Sequence, residues 1–148
     1  MKAAEGIVGR IFVIRLEDDD VIPDCLEEFA EEKSIKAGMV TLIGGMNKGN
    51  IVTGPRQTEE MPPDPMITPV DDVHETMGVG VLALDENGHP KLHLHGALGR
   101  TGSFKAGCFR PGLQTWLVGE VIITEITGVA SRRVLDERSG FTLLEPGI

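Results

Sequence analysis

The sequence predicts a compact single α+β (α/β) domain over residues 1–148, with a mainly antiparallel β-sheet and one principal helix near the N-terminus. Seven or eight apolar, β-branched runs are separated by turn residues, and one stretch has helical periodicity. A chain of 148 residues with 41% hydrophobic side chains also buries one core without help from disulfides or a structural metal. A bound metal would therefore serve a purpose other than folding.

The N-terminal region predicts a strand followed by the helix. Ile7–Leu16 is apolar and β-branched, which is typical of a strand. Pro23 fits the first position of a helix, and Gly38 is the expected stop. The apolar stripe of this helix consists of Leu26, Phe29 and Ala30.

The middle of the chain predicts short extended segments and a long loop. Met39–Ile43 reads as a buried strand, Gly44-Gly45 as a turn, and Asn50–Thr53 as a second extended segment. Residues 54–72 contain five prolines and little periodicity, so we expect a loop there.

The rest of the chain predicts strands joined by tight turns. Two short polar segments, 85–88 and 100–103, have the composition of hairpin turns, and residues 136–140 have that of the closing turn. The expected strands are Thr76–Leu84, Lys91–Leu98, Lys105–Phe109, Thr115–Thr127, and a closing hairpin of Val129–Val134 with Phe141–Leu144.

The net charge of −9 disfavours binding of nucleic acid by the whole surface, because affinity for phosphate comes from Lys and Arg. Residues 91–148 nevertheless carry a net charge of +2. If the protein contacts DNA, we expect Arg132 and Arg133 in this last third to do so.

The N-terminal residues, the hydropathy and the cysteines predict the cellular compartment of the protein. The N-terminus lacks an apolar core of signal-peptide length, and no stretch approaches a membrane span, which predicts a cytoplasmic protein without membrane contact. Cys25 and Cys108 are then expected to be reduced thiols.

All four histidines fall between positions 74 and 95. In Lys91-Leu92-His93-Leu94-His95, the two imidazoles leave the same face of a strand, and the leucines point to the core side. Such a pair can converge on a metal ion, and it can equally pack across strands. The pattern keeps both interpretations open.

Other side chains extend this candidate site. A regular hairpin around residues 100–103 places Cys108 opposite His95, where its thiolate would suit zinc; a slip of one residue would turn it into the core. Simple strand pairing does not place His74 near His95, so a bulge or a neighbouring subunit would have to bring it to the site. His89, beside Pro90, is expected in an exposed turn.

The sequence does not specify an enzyme. It lacks the motifs of a P-loop, of a Gly-x-Ser-x-Gly nucleophile and of a Cys-x-x-Cys pair. Glu75 and Glu120 are acid or base candidates, although a carboxylate without a placed substrate is more often structural.

In their order and spacing, several segments resemble the PPC family, the plants and prokaryotes conserved domain, over nearly the whole chain. The segments are Gly9-Arg10-Ile11-Phe12-Val13, Leu16-Glu17-Asp18, Ile35-Lys36-Ala37-Gly38, Leu42-Ile43-Gly44-Gly45, His74-Glu75, Lys91-Leu92-His93-Leu94-His95, Ala106-Gly107-Cys108, and Trp116-Leu117-Val118-Gly119-Glu120-Val121. The resemblance implies a homotrimer and, for prokaryotic members, a histidine-rich metal site near the subunit contacts.

The chain departs from that family in two places. Cys108 stands where many prokaryotic members have histidine, which favours it as a ligand or a ligand's neighbour. The Arg-Gly-Arg-Pro AT-hook of the plant proteins is also missing, so the resemblance gives little support to DNA binding.

The leading hypothesis from sequence is a homotrimeric metal-binding PPC protein. Zinc is the expected ion, His74, His93 and His95 are the first-choice ligands, and Cys108 is the next candidate. A DNA-associated regulator and a metal-dependent hydrolase or lyase acting on a small molecule are the alternatives.

Overall fold

The computed structural model describes residues 1–147, apart from the side chain of Pro111. It contains eight strands and one helix in the order β1 (Ile7–Leu16), β2 (Val21–Ile22), α1 (Asp24–Glu32), β3 (Ala37–Pro55), β4 (Pro65–Leu84), β5 (Pro90–Arg100), β6 (Ser103–Thr127), β7 (Arg132–Leu135) and β8 (Thr142–Glu145). Within the described residues, no helix is long and apolar enough to span a membrane.

The pairing is almost entirely antiparallel, as predicted. Strands β3, β4, β5 and β6 form a closed ring, because each pairs with the next and β6 pairs with β3 again. β1 extends the sheet along β6, and the β7–β8 hairpin joins it through one parallel bridge from Arg132 to Leu84. Closure removes the free edge where both neighbours pair, whereas the part of β4 before Glu75 keeps an open edge.

Alternation along the strands separates a core from an outer face. The core residues come mainly from the ring, from β2 and α1, and from the segment between α1 and β3, and almost none of their surface is exposed. The largest of them are Ile22, Leu26, Ile35, Leu42, Met46, Ile51, Leu82, Leu94, Leu98, Phe109, Leu113 and Ile123.

Helix α1 is shorter than expected, since it ends at Glu32 and Gly38 already belongs to β3. Its predicted apolar stripe is confirmed: Leu26 and Ala30 are buried and Phe29 packs against the core. Glu27 fixes the helix to β5, because its carboxylate accepts a 2.9 Å hydrogen bond from the backbone N–H of Leu92.

The predicted turn at Gly44-Gly45 is wrong, because β3 continues through it with a register shift against β6. Gly44 has a φ of +144°, and a Cβ there would collide with the carbonyl oxygen of Val118. The two glycines therefore permit a close approach between strands and a bulge.

The loop expected at residues 54–72 is shorter than predicted, since β3 ends at Pro55 and β4 begins at Pro65, which leaves residues 56–64 between the strands. The first part of β4, before Glu75, pairs with β3 but not with β5. A proline such as Pro69 is tolerated on this open edge because no second neighbour needs its missing N–H.

The last predicted elements are confirmed with shifted bounds. Lys105–Phe109 and Thr115–Thr127 belong to a single long strand, β6. The closing hairpin exists, with strands at Arg132–Leu135 and Thr142–Glu145.

Candidate metal centre

Strand β5 presents His93 and His95 because it alternates between two environments. Leu92 and Leu94 are 6% and 2% exposed and point into the core, whereas both histidines lie on the outer face of the ring. β4 pairs with β5 from Pro90 to Gly99, and β6 pairs with it from His95 onward. The predicted division of this strand into a leucine face and a histidine face is confirmed.

The two imidazoles converge. The Nε2 atoms of His93 and His95 lie 2.9 Å apart, and the rings meet edge to face with centroids 4.7 Å apart. At this distance two nitrogen lone pairs cannot face each other without a proton or a cation between them. The arrangement therefore either forms one imidazole hydrogen bond or offers two donors to the same ion.

Cys108 supplies the third donor. The predicted register is confirmed, with Leu98 opposite Lys105 and His95 opposite Cys108. The ligand atoms of His93, His95 and Cys108 all lie within 4.8 Å of one another. Cys108 is buried, and Nε of Arg110 donates a 3.1 Å hydrogen bond to its Sγ. That donor stabilises negative charge on the sulfur.

The surroundings keep His93 neutral. Desolvation of the ring, followed by the positive charge of Arg133, lowers the pKa of His93 to about 4. An imidazole that carries no proton at neutral pH can bind a metal without first losing one.

The donor chemistry fits zinc. Two imidazole nitrogens and one thiolate sulfur are preferred ligands of Zn²⁺, and three protein donors leave the fourth tetrahedral position for water or another ligand. A zinc ion held by His93, His95 and Cys108 would supply Lewis acidity at that position.

Two histidines lie outside the cluster. His74 is buried on the inner face of β4, about 17 Å along the strand from Val79, which is the residue opposite His95. Its Nδ1 is 2.9 Å from the carbonyl oxygen of Asp72. His89 lies in the exposed turn expected for it, with Nδ1 3.4 Å from a carboxylate oxygen of Glu31.

The structure thus does not bring His74 to His93 and His95 within one chain, because alternation sends it to the opposite face of the sheet. A contribution of His74 to the site of a neighbouring subunit stays a prediction.

Cys25 is separate from this site. Both cysteines are free, as expected, and burial together with the charge of Asp20 raises the pKa of the Cys25 thiol to about 12. It is a neutral, half-buried thiol in the first turn of α1.

A cavity of about 570 Å³ opens beside the cluster, between the outer face of the ring and the β7–β8 hairpin. His93, His95 and Cys108 line it together with two arginines that the sequence did not assign to a site, Arg110 and Arg133. For Arg110 a signal existed, because it follows Cys108 by two positions in the same strand.

Of the two arginines expected to contact DNA, Arg132 and Arg133, the second is not available for such a contact in the single chain. Its side chain is buried, and one Nη donates a 2.9 Å hydrogen bond to the carbonyl oxygen of Val81. Arg132, its neighbour on β7, is exposed. Adjacent strand residues point to opposite sides, so the two guanidinium groups cannot serve one surface.

Solved structures share this fold. The chain superimposes on the metal-containing protein from Archaeoglobus fulgidus with a TM-score of 0.85, 26% identity, and coverage of 98% of this chain and 99% of that one. For a plant- and prokaryote-conserved (PPC) protein from Pyrococcus horikoshii, the TM-score is 0.85, the identity is 21%, and coverage is 98% and 97%.

A third similar structure, from Bacteroides thetaiotaomicron, is described as a "putative dna binding protein". It has a TM-score of 0.79 and 18% identity, with 95% of this chain and 97% of that chain covered. Among curated proteins, no sequence matches the chain.

The family model of the Plants and Prokaryotes Conserved (PCC) domain matches residues 3–127, which include every strand of the closed ring and all three converging donors. The chain therefore belongs to this family, as the sequence motifs indicated.

Proposed function

We propose that this protein is a zinc-binding member of its family, with His93, His95 and Cys108 as the protein ligands. The observation that carries the proposal is the convergence of two imidazole nitrogens and one sulfur within 4.8 Å on neighbouring strands. The Archaeoglobus neighbour, which is described as metal-containing, supports it.

Elemental analysis of protein purified without a histidine tag tests the proposal. We expect about one zinc per chain in the natural protein. His93→Ala and Cys108→Ser should lower zinc affinity by more than about 100-fold, because each removes a direct ligand. His89→Ala is the matched control, since it removes an exposed histidine outside the cluster. Zinc well below one per chain, or unchanged zinc in His93→Ala, would contradict the proposal.

We also infer that the protein assembles with itself, as a homotrimer in line with the family resemblance. The outer face of the sheet carries apolar side chains in register across strands: Ile43 lies opposite Met77, and Val13 opposite Ile122. These residues are between 44% and 83% exposed in the single chain. An exposed, largely apolar face of this kind is typical of a subunit contact.

Sedimentation of the natural protein and of Met77→Glu tests the assembly. We expect trimers of the natural chain and smaller species of the variant, because a carboxylate would be buried against an apolar partner. Met61→Glu is the control, since Met61 is an exposed methionine outside the strands. A monomeric natural protein would exclude the homotrimer.

DNA binding and hydrolytic chemistry are not proposed. The Bacteroides neighbour shares 18% identity, which shows the fold alone, and the charge of −9 opposes attraction to phosphate. None of the three structures described above carries an enzymatic description.

A further inference from the structure

Two arginines face the candidate metal centre without a carboxylate partner. Elsewhere in the chain, Arg10, Arg15, Arg56 and Arg100 each form an ion pair with an acidic side chain, whereas Arg132 and Arg138 form none among the described residues but are exposed to solvent. Among the described residues, no carboxylate oxygen lies within 4.0 Å of Arg110 or Arg133, although the protein carries 23 acidic residues. Within the described chain, the anionic group that these guanidinium groups face is thus the sulfur of Cys108, which accepts a hydrogen bond from Nε of Arg110, and not a carboxylate.

Arg133 is the stronger indication. It is 6% exposed, one Nη is held by Val81, and its buried Nε has no hydrogen-bond partner in the described chain. An uncompensated buried guanidinium is costly to the folded state. Desolvation, followed by the charge of Arg110, lowers the pKa of Arg133.

Arg110 connects the metal donors to the other wall of the cavity. Its Nε donates to Cys108, and its Cζ lies 5.8 Å from the centroid of the Phe141 ring. Leu143 and Leu144 continue this apolar wall, and all three of these hydrophobic residues are exposed in the free chain. The carboxylate of Glu27 also lines the cavity, but it is already paired with Lys91 at 2.7 Å.

We propose that this cavity binds a small organic acid, with its carboxylate between Arg110 and Arg133 and its apolar body against Phe141, Leu143 and Leu144. A volume of about 570 Å³ lies within the range of small-molecule sites. Arginine binds carboxylates through paired N–H donors, and the apolar wall favours an acid with a hydrocarbon part over a bare inorganic anion. The inference rests on the proposed metal centre for its place beside the fourth coordination position, but its contacts come from the arginines and the hairpin.

Isothermal titration with benzoate as the probe tests the inference. We expect benzoate to bind, benzamide not to bind, and inorganic phosphate to bind at least about ten-fold more weakly. Equal binding of benzoate and benzamide would overturn the role of the charge. Equal or tighter binding of phosphate would overturn the organic acid as the ligand class.

The variants locate the site. Arg133→Met should weaken benzoate binding by at least about ten-fold, whereas Arg132→Met on the same strand should not. If Arg133→Met fails to fold, Arg110→Gln replaces it, with the exposed Arg138→Gln as its control. Unchanged affinity in the folded arginine variant overturns the inference.

Each titration is run on zinc-loaded protein and on chelator-treated protein, with zinc measured separately. Arginine-dependent benzoate binding by a chain that never takes up zinc would leave this inference standing and remove the metal centre. Normal zinc content without benzoate binding would leave the metal centre standing and overturn this inference.

Discussion

Glu125 and Arg133 are the two charged side chains that are buried among the described residues, and their surroundings differ. Both oxygens of Glu125 accept hydrogen bonds from Arg10: Nε donates to one at 2.8 Å, Nη2 to the other at 2.7 Å, and the backbone N–H of Arg10 makes a third contact. Arg133 has one hydrogen bond and an unpartnered Nε. The hydrogen-bonded carboxylate of Glu125 links β6 to β1, whereas the guanidinium of Arg133, which has no partner of opposite charge among the described carboxylates, lines a cavity.

The difference separates stability from binding. A buried charge that keeps its hydrogen-bond partner is tolerated in the folded state. If the partner is removed, the remaining charge is buried without compensation, and the free energy of unfolding falls. A buried charge without compensation destabilises the free protein and gains when a ligand of opposite charge arrives. Four predictions follow this contrast, from the largest effect to the smallest.

Zinc binding at the cavity should change the Tm of the protein more than any of the other changes considered. At a free zinc concentration about 100 times Kd, binding contributes about 2.7 kcal/mol, which corresponds to roughly 5–11 °C in Tm. His95→Ala should lose this increase, and His89→Ala should keep it. Differential scanning fluorimetry with and without zinc measures the shift, and a full increase in His95→Ala would contradict the metal centre.

Removal of the partner of Glu125 should cost more than removal of an exposed charge. Arg10→Met leaves the Glu125 carboxylate without its two guanidinium hydrogen bonds and keeps only the one from the backbone N–H of residue 10, so we expect Tm to fall by about 3–8 °C. Arg15→Gln is the control, because Arg15 pairs with Glu17 on an exposed surface and its loss should not measurably shift Tm. Equal falls in Tm for the two variants would show that the Arg10–Glu125 pair contributes no more to stability than an exposed ion pair.

The same pair predicts a dependence of stability on acid. Hydrogen bonds from Arg10 lower the pKa of Glu125 from 4.5 to about 2. The folded state therefore binds this proton more weakly than the unfolded state, so the contribution of the pair is complete above pH 4.5 and is lost as the pH falls through about 2.

Urea unfolding from about pH 5 down to about pH 2 measures this loss. Glu125→Gln removes the titrating group, so its stability should fall less over this range than that of the natural protein. Parallel curves for the two proteins would exclude Glu125 as the source.

Arg133→Met should have the smallest effect on stability, in spite of its burial. Replacement of an uncompensated charge by an apolar side chain of similar length is neutral or stabilising, so we expect Tm in zinc-free protein to stay the same or to rise by about 2 °C. A fall as large as that of Arg10→Met would show that Arg133 is structural, and the contrast with Glu125 would fail.

Much of the fold and part of the site could be predicted from local patterns. Alternation of Leu92, His93, Leu94 and His95 separated the core face from the outer face, and the turn at residues 100–103 set the register that pairs His95 with Cys108. The proline-rich segment and Gly44-Gly45 misled the prediction because strand continuity there depends on which edges are open and where neighbouring backbones approach.

The sequence by itself determined the family, the antiparallel class and the histidine pair, because each depends on residues that are close along the chain or joined by one turn. Only the tertiary structure decided that His74 lies on the opposite face, that Arg133 is buried, and that Arg110 and the β7–β8 hairpin complete a cavity beside the metal donors. These features depend on which residues of distant strands pack together across the closed ring. Whether a charged side chain is buried, and whether it finds a partner of opposite charge, is decided by that packing.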